Sequence, residues 1–467
     1  MGASAVPAPS GRSARTEALL NGPLLSTILR LATPNIMGLF ASTGIIAYDG
    51  YIIGLLGTQA LAGAALVFPI AMLMQQMSNG ALGGSINSVV ARALGSGDRA
   101  LAERLAQHAL ATALIMSAIF SLIVLGFGPS IYALLGGSGE NLQVALTYST
   151  VLFAGGFTVW LTNTLSAIVR GSGNMTIPSY MLIGTAVLHA GLCPLLVFGW
   201  GSFSGLGIAG AAASTVAVNV LATSVMLAYL LRPQAAVRLR FSGAWSSTLF
   251  RTILRIGLPG ALSPLLSNSS ILLATAYVGT YGISALAGFG VAARLEFILI
   301  PIVFGIGTVL TTMAATNIGA GNPNRAIRAT WTGAALVAVI TGTIGLTVGV
   351  FPLLWMQWFT ADPEIIAFGS AYLNIVGPCY VFFGVGLVLF FASQGSGKLG
   401  WVLIGSTTRL MFVAVAGWVA VYWFKTDPPA MFLIVAIGFA LYAAINALSL
   451  YIGRWGYQRN QPLRSIT

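Results

Sequence analysis

Charge is what this sequence has least of. Asp, Glu, Lys and Arg make up 6% of its 467 residues, against roughly a quarter in an ordinary soluble protein. So few charges cannot cover a water-facing surface of this size, which excludes soluble-enzyme, fibrous and disordered classes. Cysteine is limited to Cys193 and Cys379, both inside apolar runs. That leaves two free thiols and excludes a disulfide framework or a CxxC metal site; neither a resident metal nor a cofactor is expected. No GxxxxGK[ST] occurs, so a nucleotide-driven pump is not encoded.

What the sequence has in quantity is apolar length: 57% hydrophobic residues and a mean hydropathy of +0.91. At about 20 apolar residues per crossing, the runs predict twelve transmembrane helices. They lie near 32–56, 61–91, 104–127, 143–169, 176–200 and 207–231, and near 253–279, 284–316, 326–352, 364–392, 400–424 and 429–453. The formal charge of +12 forms no continuous patch, which speaks against nucleic acid and for topology. With both termini in the cytoplasm, 18 of the 21 basic residues fall in cytoplasmic segments, among them Arg30, Arg92, Arg99, Arg170, Arg238, Arg325 and Lys398. Only Lys425 lies in an outer loop. This positive-inside bias supports both count and orientation, and removing one span would scramble it. A multi-pass protein of the cell (inner) membrane is expected, with a disordered cytoplasmic tail over 1–23 and a second cytoplasmic tail over 454–467.

The two halves repeat. Gly95-Ser96-Gly97 through Arg104 matches Gly319-Ala320-Gly321 through Arg328 at an offset of 224, as Gly171-Ser172-Gly173 matches Gly395-Ser396-Gly397. Ala60-Leu61-Ala62-Gly63 matches Ala285-Leu286-Ala287-Gly288 at 225, as Pro34 matches Pro259. Chance among Gly/Ala-rich helices does not readily give three separated motifs that agree within one residue. Six spans per half give copies of the same orientation: a first lobe over 24–231, a linker over 232–252 and a second lobe over 253–453. Two six-helix lobes about a pseudo-twofold axis along the membrane normal form an alternating-access architecture.

In this order the motifs resemble the multidrug and toxic-compound extrusion (MATE) family of secondary transporters. They are Pro34, Asp49 with Leu56-Gly57, Leu94-Gly95-Ser96-Gly97-Asp98, Arg170-Gly171-Ser172-Gly173-Asn174, Leu258-Pro259-Gly260, Val291-Ala292-Ala293-Arg294-Leu295-Glu296 and Asn317-Ile318-Gly319-Ala320-Gly321. The resemblance spans about 24 to 450. The Arg294-Leu295-Glu296 element is similar to one in the damage-inducible-type (DinF-like) branch. What it implies is a monomeric, cation-coupled exporter of amphipathic, often cationic, small organic molecules, driven by a proton or sodium gradient and not an enzyme.

Of the nine acidic residues only Asp49 and Glu296 lie well inside spans, and intramembrane carboxylates are functional candidates by default. The other reading of each is a structural ion pair or helix–helix hydrogen bond. At 1.5 Å per residue, Asp49, Cys193, His189 and Thr215 lie about 10 to 16 Å below the outer ends of spans 1, 5 and 6, within one layer. Many relatives carry Asn and Asp four residues apart before Pro-Leu in span 5; here that register holds His189 and Cys193 before Pro194-Leu195. Imidazole and thiol replace the hard oxygens that Na⁺ prefers, so protons are the expected coupling ion. Asp49 and His189 are the expected pair, lined by Thr215 and Cys193; the alternative for His189 is a hydrogen-bonded packing histidine.

The second lobe is less defined. Asp49 corresponds to Ala274 and Glu296 to Ala71, and where one branch of the family carries a span 7 carboxylate this chain has Ser267. A Glu296–Arg409 pair or an Arg294 contact would lock the lobe, and a role with substrate stands equally open. For a cargo cavity the candidates are Met72, Gln75 and Asn79 on span 2 with Trp160 and Asn163 on span 4; such stripes are more often packing. Pro34 is a candidate hinge or a static kink. Rival functions are a lipid-linked oligosaccharide flippase of the same superfamily, which wants more cavity cations than Arg294 and Arg409. A membrane-embedded transferase would want clustered acids or histidines, and a channel or receptor is disfavoured by the duplication.

Overall fold

In the computed structural model, residues 13–241, 244–452 and Trp455 are described. Twelve long helical spans run alternately up and down: Leu24–Gly54, Thr58–Gly95, Arg99–Leu134, a bent pair Gly139–Ala154 and Gly156–Gly171, Thr176–Phe198 and Ile208–Leu231. The second six are Ser247–Gly279, Ile283–Gly319, Pro323–Val350, Pro363–Ser396, Gly400–Trp423 and Pro428–Ile452. We number them spans 1 to 12. An even number brings the start of span 1 and the end of span 12 to one end of the bundle, the end that carries most of the arginines; we call it the basic end. Large apolar side chains such as Leu122 (71% exposed), Leu272 (70%) and Phe127 (64%) point outward. That surface suits hydrocarbon, where backbone groups must be satisfied within each helix, and the chain is a multi-pass membrane protein.

Two expected boundaries change. The disordered tail expected over 1–23 is in part a helix, Ala14–Asn21, capped by Ser13, whose Oγ accepts from the Thr16 N–H at 3.2 Å; residues 1–12 lie outside the described residues. Its apolar face drives the docking: Leu19 and Leu20 are buried, and the Leu19 carbonyl accepts from Asn317 Nδ2 at 3.2 Å. The linker expected over 232–252 ends at Ser246, because span 7 begins at Ser247. Span 3 holds it: the Arg99 guanidinium donates to the Ala235 carbonyl at 2.8 Å, and the Ser246 N–H donates to His108 Nε2 at 2.9 Å. The tail over 454–467 lies outside the described residues except for Trp455, which is buried.

The duplication reappears as packing. A Cβ on Gly95 would meet the Thr316 carbonyl at 2.1 Å, and one on Gly319 would meet the Arg92 carbonyl at 2.1 Å. These are one contact seen twice, since 92 and 95 plus 224 give 316 and 319. Gly171 sits against Asn87 and Val90 as Gly395 sits against Thr311 and Ala314. Gly63 sits against Val144 and Ala145 as Gly288 sits against Phe368 and Gly369. The one-residue change of offset also has a cause. Span 2 contains a π-helical stretch, Gln76–Gly83, whose wider turn takes up one residue more between Gly63 and Gly95 than lies between Gly288 and Gly319.

The lobes meet at the basic end. Asn35 donates to the Gly305 carbonyl (3.1 Å), Arg92 to the Gly395 carbonyl (3.0 Å), Thr312 to Asn87 Oδ1 (2.8 Å) and Gln394 to the Gly80 carbonyl (2.9 Å). The outermost hydrogen bond between lobes among the described residues joins Asn268 to Gln76 at mid-span, 3.1 Å. The lobes are thus closed at the basic end and apart beyond mid-depth. None of these bonds pairs two charges. Interhelical bonds of this kind are worth about 0.6 kcal/mol each in a bilayer.

Candidate functional site

Proline shapes the first-lobe site. Pro194 in span 5 lacks an N–H and so leaves the carbonyl of Ala190, four residues earlier, without its helical donor. Tyr48 of span 1 supplies one, its hydroxyl donating to Ala190 O at 2.7 Å. That bond pins span 1 to span 5 one residue before Asp49. Across the same seam His189 Nε2 lies 2.6 Å from Asp49 Oδ1, and Cys193 Sγ lies 3.9 Å from the same oxygen. His189 and Cys193 are four apart and share a helix face. Both are buried, at 3% and 0% exposure, whereas the Asp49 side chain keeps 23%.

A nitrogen and a carboxylate oxygen 2.6 Å apart require a proton between them, because two lone pairs repel at that distance. One of the two therefore donates a hydrogen bond to the other. The far ring nitrogen is held as well, with His189 Nδ1 3.1 Å from Ser214 Oγ. Here the structure departs from expectation. Thr215 bonds its own helix at the Ala211 carbonyl, 3.3 Å away, and its neighbour Ser214, fully buried, touches the imidazole. A helical face rotated by one residue was the available signal: Ser214, not Thr215, shares the buried stripe of Gly210, Ala211, Val218 and Ala222.

Two of the three second-lobe candidates, Glu296 and Arg409, share one small chamber, lined also by Tyr372, Ser270, Ala274, Val413 and Phe439; Arg294 is not among its lining residues. Of the readings left open for this lobe, a Glu296–Arg409 ion pair does not form: among the described residues no N···O approach within 4.0 Å joins them. Arg409, buried at 4% exposure, instead lies over the Phe439 ring, 4.6 Å from its centroid, where stacking is favourable for a desolvated guanidinium; Arg294, which is exposed, lies over Phe359 at 5.8 Å.

The cargo candidates separate. Gln75 and Asn79 flank or belong to the π-helix, where Asn163 donates to Gln75 (3.3 Å) and Ser78 (2.8 Å) and Arg170 donates to Asn79 (3.0 Å). A small cavity at the floor between the lobes is lined by Asn79, Asn87, Arg170, Phe304 and Thr308 among others, with no carboxylate. Met72 is half-buried. Trp160 is 2% exposed inside the first-lobe core beside Phe120, so it packs the lobe and does not face the cleft. Pro34 lies within the unbroken helix of span 1, directly before Asn35, which ties that span to the other lobe. Arg170 was the residue missed as a cleft-floor group; counted with the basic loops, its side chain reaches into the bundle.

Comparison with known proteins agrees with this duplicated frame. An FAD transporter of Shewanella oneidensis is 27% identical over 384 residues, 80% of this chain and 82% of that protein. A probable multidrug resistance protein of Bacillus subtilis, YoeA, is 24% identical over 402 residues, 85% and 86% of the two chains. Among solved structures, a MOP superfamily transporter from Pyrococcus furiosus, 23% identical, matches with a TM-score of 0.86 over 95% of this chain and 98% of that one. The family model described as MatE matches twice, over residues 34–195 and 259–419, one stretch in each lobe and in the register of the repeat. The chain belongs to the MatE family of membrane transporters.

Proposed function

We propose that the protein is a proton-coupled multidrug efflux transporter of the inner membrane, with both termini cytoplasmic, working as a monomer by alternating access. The observation that carries this reading is the 2.6 Å contact between Asp49 and His189, in a site whose other groups are a thiol and a hydroxyl. Sodium favours a cage of hard oxygens, whereas an imidazole and a carboxylate in contact can take up and pass on a proton. With the lobes closed at the basic end, the cytoplasmic end in this reading, the state is outward-open. The Asp49–His189 pair takes up a proton from outside and loses it to the cytoplasm once the lobes rock.

The cargo is an amphipathic organic compound, in keeping with the multidrug resistance named for the Bacillus relative. A second cargo reading has its own support: the cleft floor presents Arg170 and amides but no carboxylate, which favours a phosphate-bearing aromatic such as the FAD named for the Shewanella relative.

Uptake into proteoliposomes tests both. A pH gradient is expected to drive transport of a fluorescent organic cation or of FAD, a Na⁺ gradient alone is not, and Asp49→Asn is expected to abolish the response. Drive by sodium alone overturns proton coupling, and absence of movement with either cargo under either gradient overturns the exporter reading.

A further inference from the structure

His189 Nε2, Cys193 Sγ and an Asp49 carboxylate oxygen all lie within 4.8 Å of one another. We infer that these three side chains form a binding site for a borderline-soft divalent cation of the Zn²⁺ class.

Three features of the geometry support it. First, nitrogen, sulfur and one carboxylate oxygen is a donor set suited to Zn²⁺, whereas Ca²⁺, Mg²⁺ and Na⁺ favour all-oxygen cages. Second, two of the ligands stand at i and i+4 on span 5, so one rigid helix presents nitrogen and sulfur to the same point. The third ligand comes from span 1, which the Tyr48–Ala190 bond holds in place at 2.7 Å. Third, the outer nitrogen of the imidazole is already engaged: Ser214 Oγ lies 3.1 Å from His189 Nδ1. A hydrogen bond at the nitrogen opposite the ligating one is the usual support of a metal-bound histidine, since it fixes the ring and its tautomer.

Donors that share a tetrahedral ion at about 2.0 to 2.3 Å stand roughly 3.5 Å apart. The Asp49–Cys193 distance of 3.9 Å is near that value. The Asp49–His189 distance of 2.6 Å must open by somewhat under 1 Å, and the partly exposed Asp49 carboxylate is the member free to move. The ion replaces the proton held between Asp49 and His189 and the thiol proton of Cys193, both released to water. Water completes the fourth position, as in three-ligand zinc sites. Binding stands on this geometry alone. Its consequence, that Zn²⁺ blocks turnover by occupying the coupling pair, rests on the proton-coupled reading above.

Cobalt titration of the tag-free, chelator-treated full chain in detergent tests binding without any transport assay. Co²⁺ is expected to bind at one equivalent with a thiolate-to-cobalt charge-transfer band, and Zn²⁺ is expected to displace it. Cys193→Ser should abolish the band, Asp49→Asn and His189→Gln should weaken binding at least tenfold, and Cys379→Ser in span 10 should leave it unchanged. No band, or a band that survives Cys193→Ser and disappears with Cys379→Ser, overturns the site. Should Cys193→Ser fail to fold, wild-type protein decides: Zn²⁺ must slow alkylation of Cys193 and not of Cys379, and equal rates overturn the proposal. Zn²⁺ bound in vitro without inhibiting transport would leave the metal site standing and remove the coupling role of the pair.

Discussion

The two lobes hold their chambers at the same place and fill them differently. Ala274, Val413 and Phe439 line the second chamber, and by the offsets of 225 and 224 they are the counterparts of Asp49, His189 and Thr215. Gly417 and Gly438 stand where Cys193 and Ser214 stand. Even the contact persists, since a Cβ on Gly438 would lie 3.4 Å from Val413 Cγ2, as Ser214 meets His189. The scaffold was duplicated and kept; the chemistry of the first chamber has no copy in the second, where Glu296, Tyr372 and Arg409 enter from other positions. The difference is one of charge that can change. In the first chamber the carboxylate faces an imidazole, and among the described residues no Lys or Arg lies within 4.0 Å of Asp49. In the second it shares a space with a guanidinium, which stays charged at all accessible pH.

The largest expected effect breaks this comparison most directly. Asp49→Asn should reduce gradient-driven export to that of protein-free liposomes, while Glu296→Gln should keep its dependence on the pH gradient at a reduced rate. If the two outcomes are exchanged, the second chamber is the one that couples.

Next in size is a pair of matched substitutions at the symmetric closure. Gly95→Val and Gly319→Val each push a side chain into a carbonyl now 2.1 Å from the built Cβ, and overpacking of this sort costs about 1 to 3 kcal/mol. Because the two contacts are copies, both variants should weaken the closed end by a similar factor. Alkylation of a Thr312→Cys probe, at a position fully buried between the lobes, should speed up by about ten- to a hundredfold in each, at 1.4 kcal/mol per tenfold. Strongly unequal rates would mean that the lobes do not part about the pseudo-twofold axis.

Smaller again is the effect on stability within the second lobe. Arg409→Met leaves Glu296 without the cation that shares its chamber, so it should lower the melting temperature, and adding Glu296→Gln should recover part of the loss. A double-mutant coupling of about 0.5 to 3 kcal/mol is expected for groups of one network. A coupling near zero would make the two residues independent tenants of the chamber.

Much of this frame was legible in the sequence, because the bilayer imposes length and apolarity on every span and charge bias on every loop. The repeat was legible for a related reason: Gly95, Gly171 and their copies leave no room for a side chain, so the motif and the contact are one constraint. Asp49, His189 and Cys193 were found by depth, since 1.5 Å per residue converts position in a helix into height in a membrane. Depth says nothing about rotation around the helix axis. That is why Thr215 was placed at the site and Ser214 was not, and why Trp160 stood among the cleft candidates although it packs the first-lobe core. The Ala14–Asn21 helix was hidden by its length, being too short for a strong periodic signal. The π-helix was visible only as a slip of one residue between two offsets.

The smallest expected effect tests that rotational error. Ser214→Ala removes the group 3.1 Å from His189 Nδ1 and leaves a buried ring nitrogen without a partner, a loss of about 1 kcal/mol. The proton dependence of export should shift by several-fold, with the maximal rate little altered, because the imidazole still reaches Asp49. Thr215→Val keeps the shape of a residue whose hydroxyl serves only its own helix at Ala211, so it should leave the proton dependence where it was. Initial rates at a series of external pH values, in the two variants and the wild type, separate the cases. A larger shift in Thr215→Val than in Ser214→Ala would place the threonine hydroxyl in the chamber in some other state of the cycle, and the tautomer of His189 would then be set by something other than Ser214.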